Sequence, residues 1–198
     1  MVDVSTIYLV RHAKAGDRSS WDGDDTVRPL SGKGRRQAVS ICDRLFDLIA
    51  THPEAQLISS PYIRCMQTLE PLAARLHSQV VSDPRLAEGY DREGALELIS
   101  TLPNGSVMCS HGDVIPDVMA ALQRRRAEII GDPDWRKGTV WVLAREDGEV
   151  TEASVFPWWN HWPVGQMPSD GRNAKHPDRT SHCSLTHVFL PDYKKQDG

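Results

Sequence analysis

Apolar residues along this chain fall into short continuous runs that alternate with longer stretches of three- and four-residue periodicity. The first run, Ile7-Tyr8-Leu9-Val10 within residues 5–13, stops abruptly on Arg11-His12. A short apolar segment rich in β-branched and aromatic residues, without helical spacing, predicts a buried strand. A loop rich in Gly, Asp and Ser follows to Leu30, and Ser31 reads as an N-cap. Ala38, Ile41, Leu45, Leu48 and Ile49 then recur at helical steps, predicting a helix over residues 31–50. Residues 56–59 predict a second strand, and Ser60-Pro61 opens a helix to about Leu76, since proline is tolerated in a first helical turn. Val80-Val81 marks a third strand, 93–101 a short helix, 105–110 a strand ending on His111-Gly112, and 114–130 a helix. Residues 139–144 and 149–156 flank Asp147-Gly148, a strong hairpin signal.

Strands alternating with helices of this length imply crossover connections. The expected fold is therefore α/β, three-layer α/β/α, with a mainly parallel central sheet and an antiparallel edge strand from the late hairpin. After Phe156 the pattern fails: residues 157–198 hold five of the 13 prolines and three of the six tryptophans with little periodicity. One domain over 1–156 and an irregular C-terminal extension over 157–198, packed on or near it, are expected.

Composition narrows the function classes. A length of 198 residues suffices for one well-buried domain. A formal charge of −4 gives no general reason to expect nucleic acid as a partner, because phosphate backbones are gripped by surplus Lys and Arg. No apolar segment approaches the roughly 20 residues of a membrane span, and no signal peptide is evident. The four cysteines lie far apart without paired spacing, which favours a reducing, cytoplasmic setting.

Two histidines end two separate strands, and in a parallel sheet both carboxyl ends face one edge, where ligands bind. His12 follows Arg11, and Arg64 lies in the first turn of the helix opened by Ser60-Pro61. A helix N-terminus favours anions, and an arginine there sharpens the site. Arg11, His12, Arg64 and His111 together read as a phosphate clamp containing a titratable nucleophile.

Leu9-Val10-Arg11-His12-Ala13, Leu30-Ser31-x-x-Gly34-x-x-Gln37-Ala38, Ser60-Pro61-x-x-Arg64-x-x-Gln67-Thr68, Leu86-Ala87-Glu88-Gly89 and Ser110-His111-Gly112 occur in that order. In this the chain resembles the histidine phosphatase superfamily, which includes cofactor-dependent phosphoglycerate mutase, over about residues 5–145. Ala13 stands where many members have Gly. Arg-His-Ala-Lys is similar to the small phosphohistidine phosphatases. Ala13-Lys14-Ala15-Gly16, Trp21, Gly23-Asp24-Asp25 and Arg28-Pro29-Leu30 also look like the phosphatase half of actinobacterial Nudix-fused proteins. No Nudix box is present here, so a stand-alone relative is expected.

The resemblance implies a phosphoric-monoester hydrolase in which His12 takes the phosphoryl group as phosphohistidine. His12 must then be neutral on its attacking nitrogen, with a partner fixing its tautomer. Arg11, Arg64 and His111 hold the non-bridging oxygens, with Arg18 and Gly112 as further substrate-binding positions. Glu88 matches the general acid, although Asp17, Asp91 and Asp113 are loop carboxylates able to substitute. No cofactor or metal is required. Asp22, Asp24 and Asp25 read as an acidic surface loop before a cation site, and His182-Cys183-x-x-x-His187 lacks the paired spacing of zinc ligands. Arg124-Arg125-Arg126 ends a helix, where cations complement the dipole.

Only 22 residues separate Glu88 from His111, too few for the insertions of mutases and sugar bisphosphatases. A shallow, open pocket is expected, suited to a phosphoprotein, a nucleotide or a small phosphomonoester. The alternatives are a phosphate-binding module with little turnover and a mutase-type phosphotransferase. Oligomeric state is left open, and Trp158-Trp159-Asn160-His161-Trp162 is read as a latch on the domain before a substrate-stacking element.

Overall fold

A computed structural model describes residues 3–156. The extension, its tryptophan cluster and His182-Cys183 lie outside the described residues. The elements run β1 (Val4–Arg11), α1 (Gly32–Ile49), β2 (Leu57–Ser59), α2 (Ile63–Arg75), β3 (Val80–Ser82), α3 (Arg92–Thr101), β4 (Val107–Ser110), α4 (Val114–Arg124), β5 (Glu128–Ile130), β6 (Val140–Glu146) and β7 (Glu149–Val155). They build one seven-stranded sheet in the order β3-β2-β4-β1-β6-β7-β5.

Alternation along β1 divides the core into two layers. Ile7 and Leu9 point to the face covered by α3 and α4, where they meet Leu98, Ile99, Val118 and Trp141. Tyr8 and Val10 point to the face covered by α1 and α2, among Ile41, Leu45, Leu69 and Leu72. This is the three-layer α/β/α arrangement expected from the alternating pattern, because a strand buried on both faces must be apolar at every position. Ser31 caps α1 as read, its side chain accepting from Gly34 N at 3.1 Å. Cys42, Cys65 and Cys109 are buried free thiols. Among the described residues no helix is long and apolar enough to cross a membrane.

Two features differ from the sequence reading. The helix expected over 114–130 ends at Arg124, and Arg126 turns the chain with φ 73°. Ile129 and Ile130 leave the helical path because they pair in parallel with Ala153 and Ser154 of β7. The hairpin forms where expected, with positive φ at both Asp147 and Gly148. Its antiparallel strand β6 lies inside the sheet between β1 and β7, however, and the edges are β3 and β5. Trp141 and Leu143 of β6 join the layer of Ile7 and Leu9, and Val140 that of Tyr8 and Val10, so this strand is buried on both faces as an interior strand is.

Candidate active site

Sheet register brings the site together. Arg11 of β1 is paired with Ser110 of β4, and Ser59 of β2 with Cys109. The next residue of each strand therefore emerges at one edge: His12, His111 and Ser60, all buried. The His12 amide donates to Ser110 O at 3.0 Å, and the Ser60 amide to Cys109 O at 2.9 Å, so the ladder continues one step into the site. The two imidazoles meet edge to face with ring centroids 5.3 Å apart.

His12 Nδ1 lies 2.7 Å from Ala13 O. A carbonyl oxygen only accepts, so Nδ1 carries the proton and Nε2 keeps its lone pair. Burial pushes the imidazole down to about 3, and the charges of His111, Arg64 and Lys137 add to this against the Ala13 carbonyl. The ring is therefore neutral at physiological pH. The unfolded chain titrates near 6.5, so between about pH 3 and 6.5 it binds a proton that the folded state does not. Stability from this group is fully present above 6.5 and is lost as pH falls toward 3. We expect a loss of about 2 kcal/mol between pH 7 and pH 5 from His12 alone, read by urea unfolding at both values. His12→Asn should show a correspondingly smaller loss; an equal loss in both proteins would refute the depressed imidazole.

The loop after β1 is held by residues quoted above as motif. Thr68 Oγ1 accepts from Ala13 N at 3.0 Å, Gln37 Oε1 from Lys14 N at 2.9 Å, and Gln67 Oε1 from Leu30 N at 2.8 Å. Ser31 N donates to Lys14 O at 2.9 Å. A Cβ on Gly34 would lie 1.9 Å from that same carbonyl, so only glycine lets α1 approach the loop. These residues hold His12 in place from outside the reacting space.

Arg64, 1% exposed, lies in the first turn of α2. Its Nη2 is paired with Glu88 and is 3.5 Å from His111 Nδ1, while Nη1 donates to Asp25 O at 2.8 Å. Tyr62 supports both groups, its ring centroid 4.5 Å from the guanidinium carbon and 4.8 Å from the His111 ring. Ser60 Oγ holds His111 Nε2 at 2.8 Å. Arg11 donates through Nη1 to Trp135 O. Buried Nε groups of both Arg11 and Arg64 have no hydrogen-bond partner among the described residues. Buried donors of this kind call for an acceptor, and a guanidinium group suits an anion.

Gly112 has a steric part: a Cβ there would fall 2.3 Å from Arg11 Nη2. Arg18 is 61% exposed and bridges Asp25 and Glu88 at 2.7 and 3.0 Å, at the rim of the clamp. Glu88 Oε2 lies 3.7 Å from His111 Nδ1. The competing carboxylates have other tasks: Asp17 accepts from Ser19 N, Asp91 caps α3, and Asp113 accepts from Gly89 N at 2.7 Å. Asp24 caps the short helical turn at Asp25–Val27, and three arginines converge on Asp25, where Arg18 and Arg28 bonds hold its carboxyl well below the usual range. Sequence reasoning missed Ser60 as the partner of His111, Asp25 as the anchor of Arg64, and Lys137 beside His12. Their partners lie 39 or more positions away, beyond the reach of local pattern.

Comparison with known proteins finds likeness in sequence and in fold. Residues 7–94 match the model of the histidine phosphatase superfamily (branch 1). The chain is 38% identical over 164 residues to an 8-oxo-(d)GTP phosphatase of Mycolicibacterium smegmatis, covering 78% of this chain and 49% of that protein. It thus spans about half that relative's length. Among solved structures, the protein histidine phosphatase SixA complexed with tungstate superposes with TM-score 0.56 at 18% identity, over 76% of this chain and 94% of that one. A mycobacterial hydrolase superposes with TM-score 0.57 at 18% identity, over 79% and 98%. Both share this fold.

Proposed function

We propose that this chain, whose residues 7–94 belong to branch 1 of the histidine phosphatase superfamily, is a phosphoric-monoester hydrolase working through phospho-His12. The observation that carries this reading is the fixed tautomer of His12 beside the guanidinium groups and His111. His12 Nε2 attacks phosphorus, the bond to the leaving oxygen breaks, and the phosphoryl group rests on the ring. Arg11, Arg64 and His111 stabilise the non-bridging oxygens, donors fixed before charge develops.

Glu88 gives its proton to the leaving oxygen, then takes one from the water that attacks phosphohistidine and releases phosphate. In the free site Glu88 is held by Arg64 and Arg18.

The similarity to phosphatases and the short connection between Glu88 and His111 support hydrolysis over transfer to a second acceptor. A phosphoprotein, a nucleotide and a small monoester all remain within the substrate class. Steady-state hydrolysis of an aryl phosphate tests the reading, with alkali-quenched labelling by radioactive substrate. Turnover with an acid-labile, base-stable phosphoenzyme is expected. Binding of phosphate without turnover or labelling would make this a recognition module instead.

A further inference from the structure

One cation at the site is left over by the chemistry above. Lys137 sits in the turn entering β6, and that turn is tied to the end of β1: Gly138 N donates to Arg11 O at 3.0 Å and to His12 O at 3.2 Å. Lys14, two residues after His12, lies on the other side of a single amide. Gln37 Oε1 accepts from Lys14 N at 2.9 Å, while its Nε2 donates to Lys137 O at 3.4 Å. One side chain of α1 therefore fixes the backbones of two lysines next to the reacting histidine.

The charge balance around these lysines is one-sided. Arg18, Arg28 and Arg64 each pair with Asp25, Glu88 or both. Half-buried Lys137 forms no ion pair among the described residues, and the like charges of Arg11, Arg28, Arg64 and Lys14 act on it. Burial, with these like charges, pushes its ammonium below the ordinary lysine value. A half-buried cation among other cations is unfavourable unless an anion joins it.

Position separates this charge from the clamp. In sheet order, Arg64, His111 and Glu88 arise from β2, β4 and the segment after β3, on one side of β1, whereas Lys137 enters from β6 on the other. In the hydrolase reading, Arg11, Arg64 and His111 take the three non-bridging oxygens of one phosphoryl group.

We infer that Lys137, with Lys14, forms a second anion subsite on the β6 side of His12, which takes a further phosphate of a substrate carrying a diphosphate linkage. This rests on the hydrolase reading for the first site and adds to it the kind of substrate. A diphosphate can belong to a nucleotide or be inorganic, and the test separates the two.

Titration calorimetry in the His12→Ala background measures binding without turnover, using orthophosphate, inorganic pyrophosphate and a nucleoside diphosphate. Pyrophosphate is expected to bind more tightly than orthophosphate. Lys137→Met should erase about tenfold of that preference, the size of one charged hydrogen bond, and Lys137→Arg should restore most of it. An effect on pyrophosphate and nucleotide alike means that the phosphate alone is read; an effect on the nucleotide only means that the nucleotide is the source. Equal binding of orthophosphate and both diphosphates, or a preference unmoved by Lys137→Met, overturns the second subsite and leaves the first intact. Failure to bind any of the three overturns the anion clamp itself.

Discussion

Replacing His12 with alanine is expected to lower turnover by at least about 10⁴-fold, the scale seen when a covalent nucleophile is removed, and to abolish trapping of labelled phosphate. Structural collapse is not the expected cause. His12 bonds to the Ala13 carbonyl of its own loop, and Thr68, Gln37 and Gln67 hold that loop independently. The variant should therefore keep its fold and its affinity for phosphate while losing chemistry. Thermal melting and phosphate binding provide the control. Retained labelling in a folded His12→Ala protein would put the acceptor elsewhere, with His111, 5.3 Å away, the first residue to examine.

Arg64→Ala should cost about 10²–10³-fold in kcat, the effect of deleting one preorganised oxyanion donor, together with a fall in stability. Arg64 is almost fully enclosed and touches Asp25, Glu88 and the Tyr62 ring, so its removal also takes a paired cation from two carboxylates. Lysine should rescue poorly, because one ammonium cannot reach Asp25 and Glu88 in the forked geometry of a guanidinium. Arg18→Ala offers the contrast: at 61% exposure its ion pairs are worth about 0–1 kcal/mol, and its effect should be no more than about tenfold. Equal losses for Arg64→Ala and Arg18→Ala would contradict a buried clamp with a rim arginine.

Much of this molecule could be read before its structure, and the reasons for success and failure are local. Helix α1, with its Ser31 cap, was legible because capping and the apolar stripe are set within a few residues. His12 and His111 were legible as a pair because both end apolar runs that a parallel sheet must align. The end of α4 was not, since Ile129 and Ile130 suit a helix or a strand, and pairing with β7 decides between them. The place of β6 inside the sheet likewise depends on partners far away in sequence. At the site, Arg64 and Glu88 were found as motif residues, but that Asp25 anchors Arg64 was not. Gln37 belongs to a motif of the sequence, yet nothing local shows that its amide joins segments 14 and 137.

The ladder from Arg11–Ser110 into His12 has a consequence for how such a protein can change over time. His12 is set by a sheet hydrogen bond and His111 directly follows β4, whereas Arg18, Glu88 and Lys137 stand on connecting segments. Insertions and substitutions in those segments can alter which molecule is accepted without disturbing the separation of the two imidazoles. Diversification of the specificity and preservation of the reaction are thereby assigned to different parts of the backbone. A laboratory search for new substrates should accordingly randomise the turns before β6 and after β3, leaving the strand ends untouched.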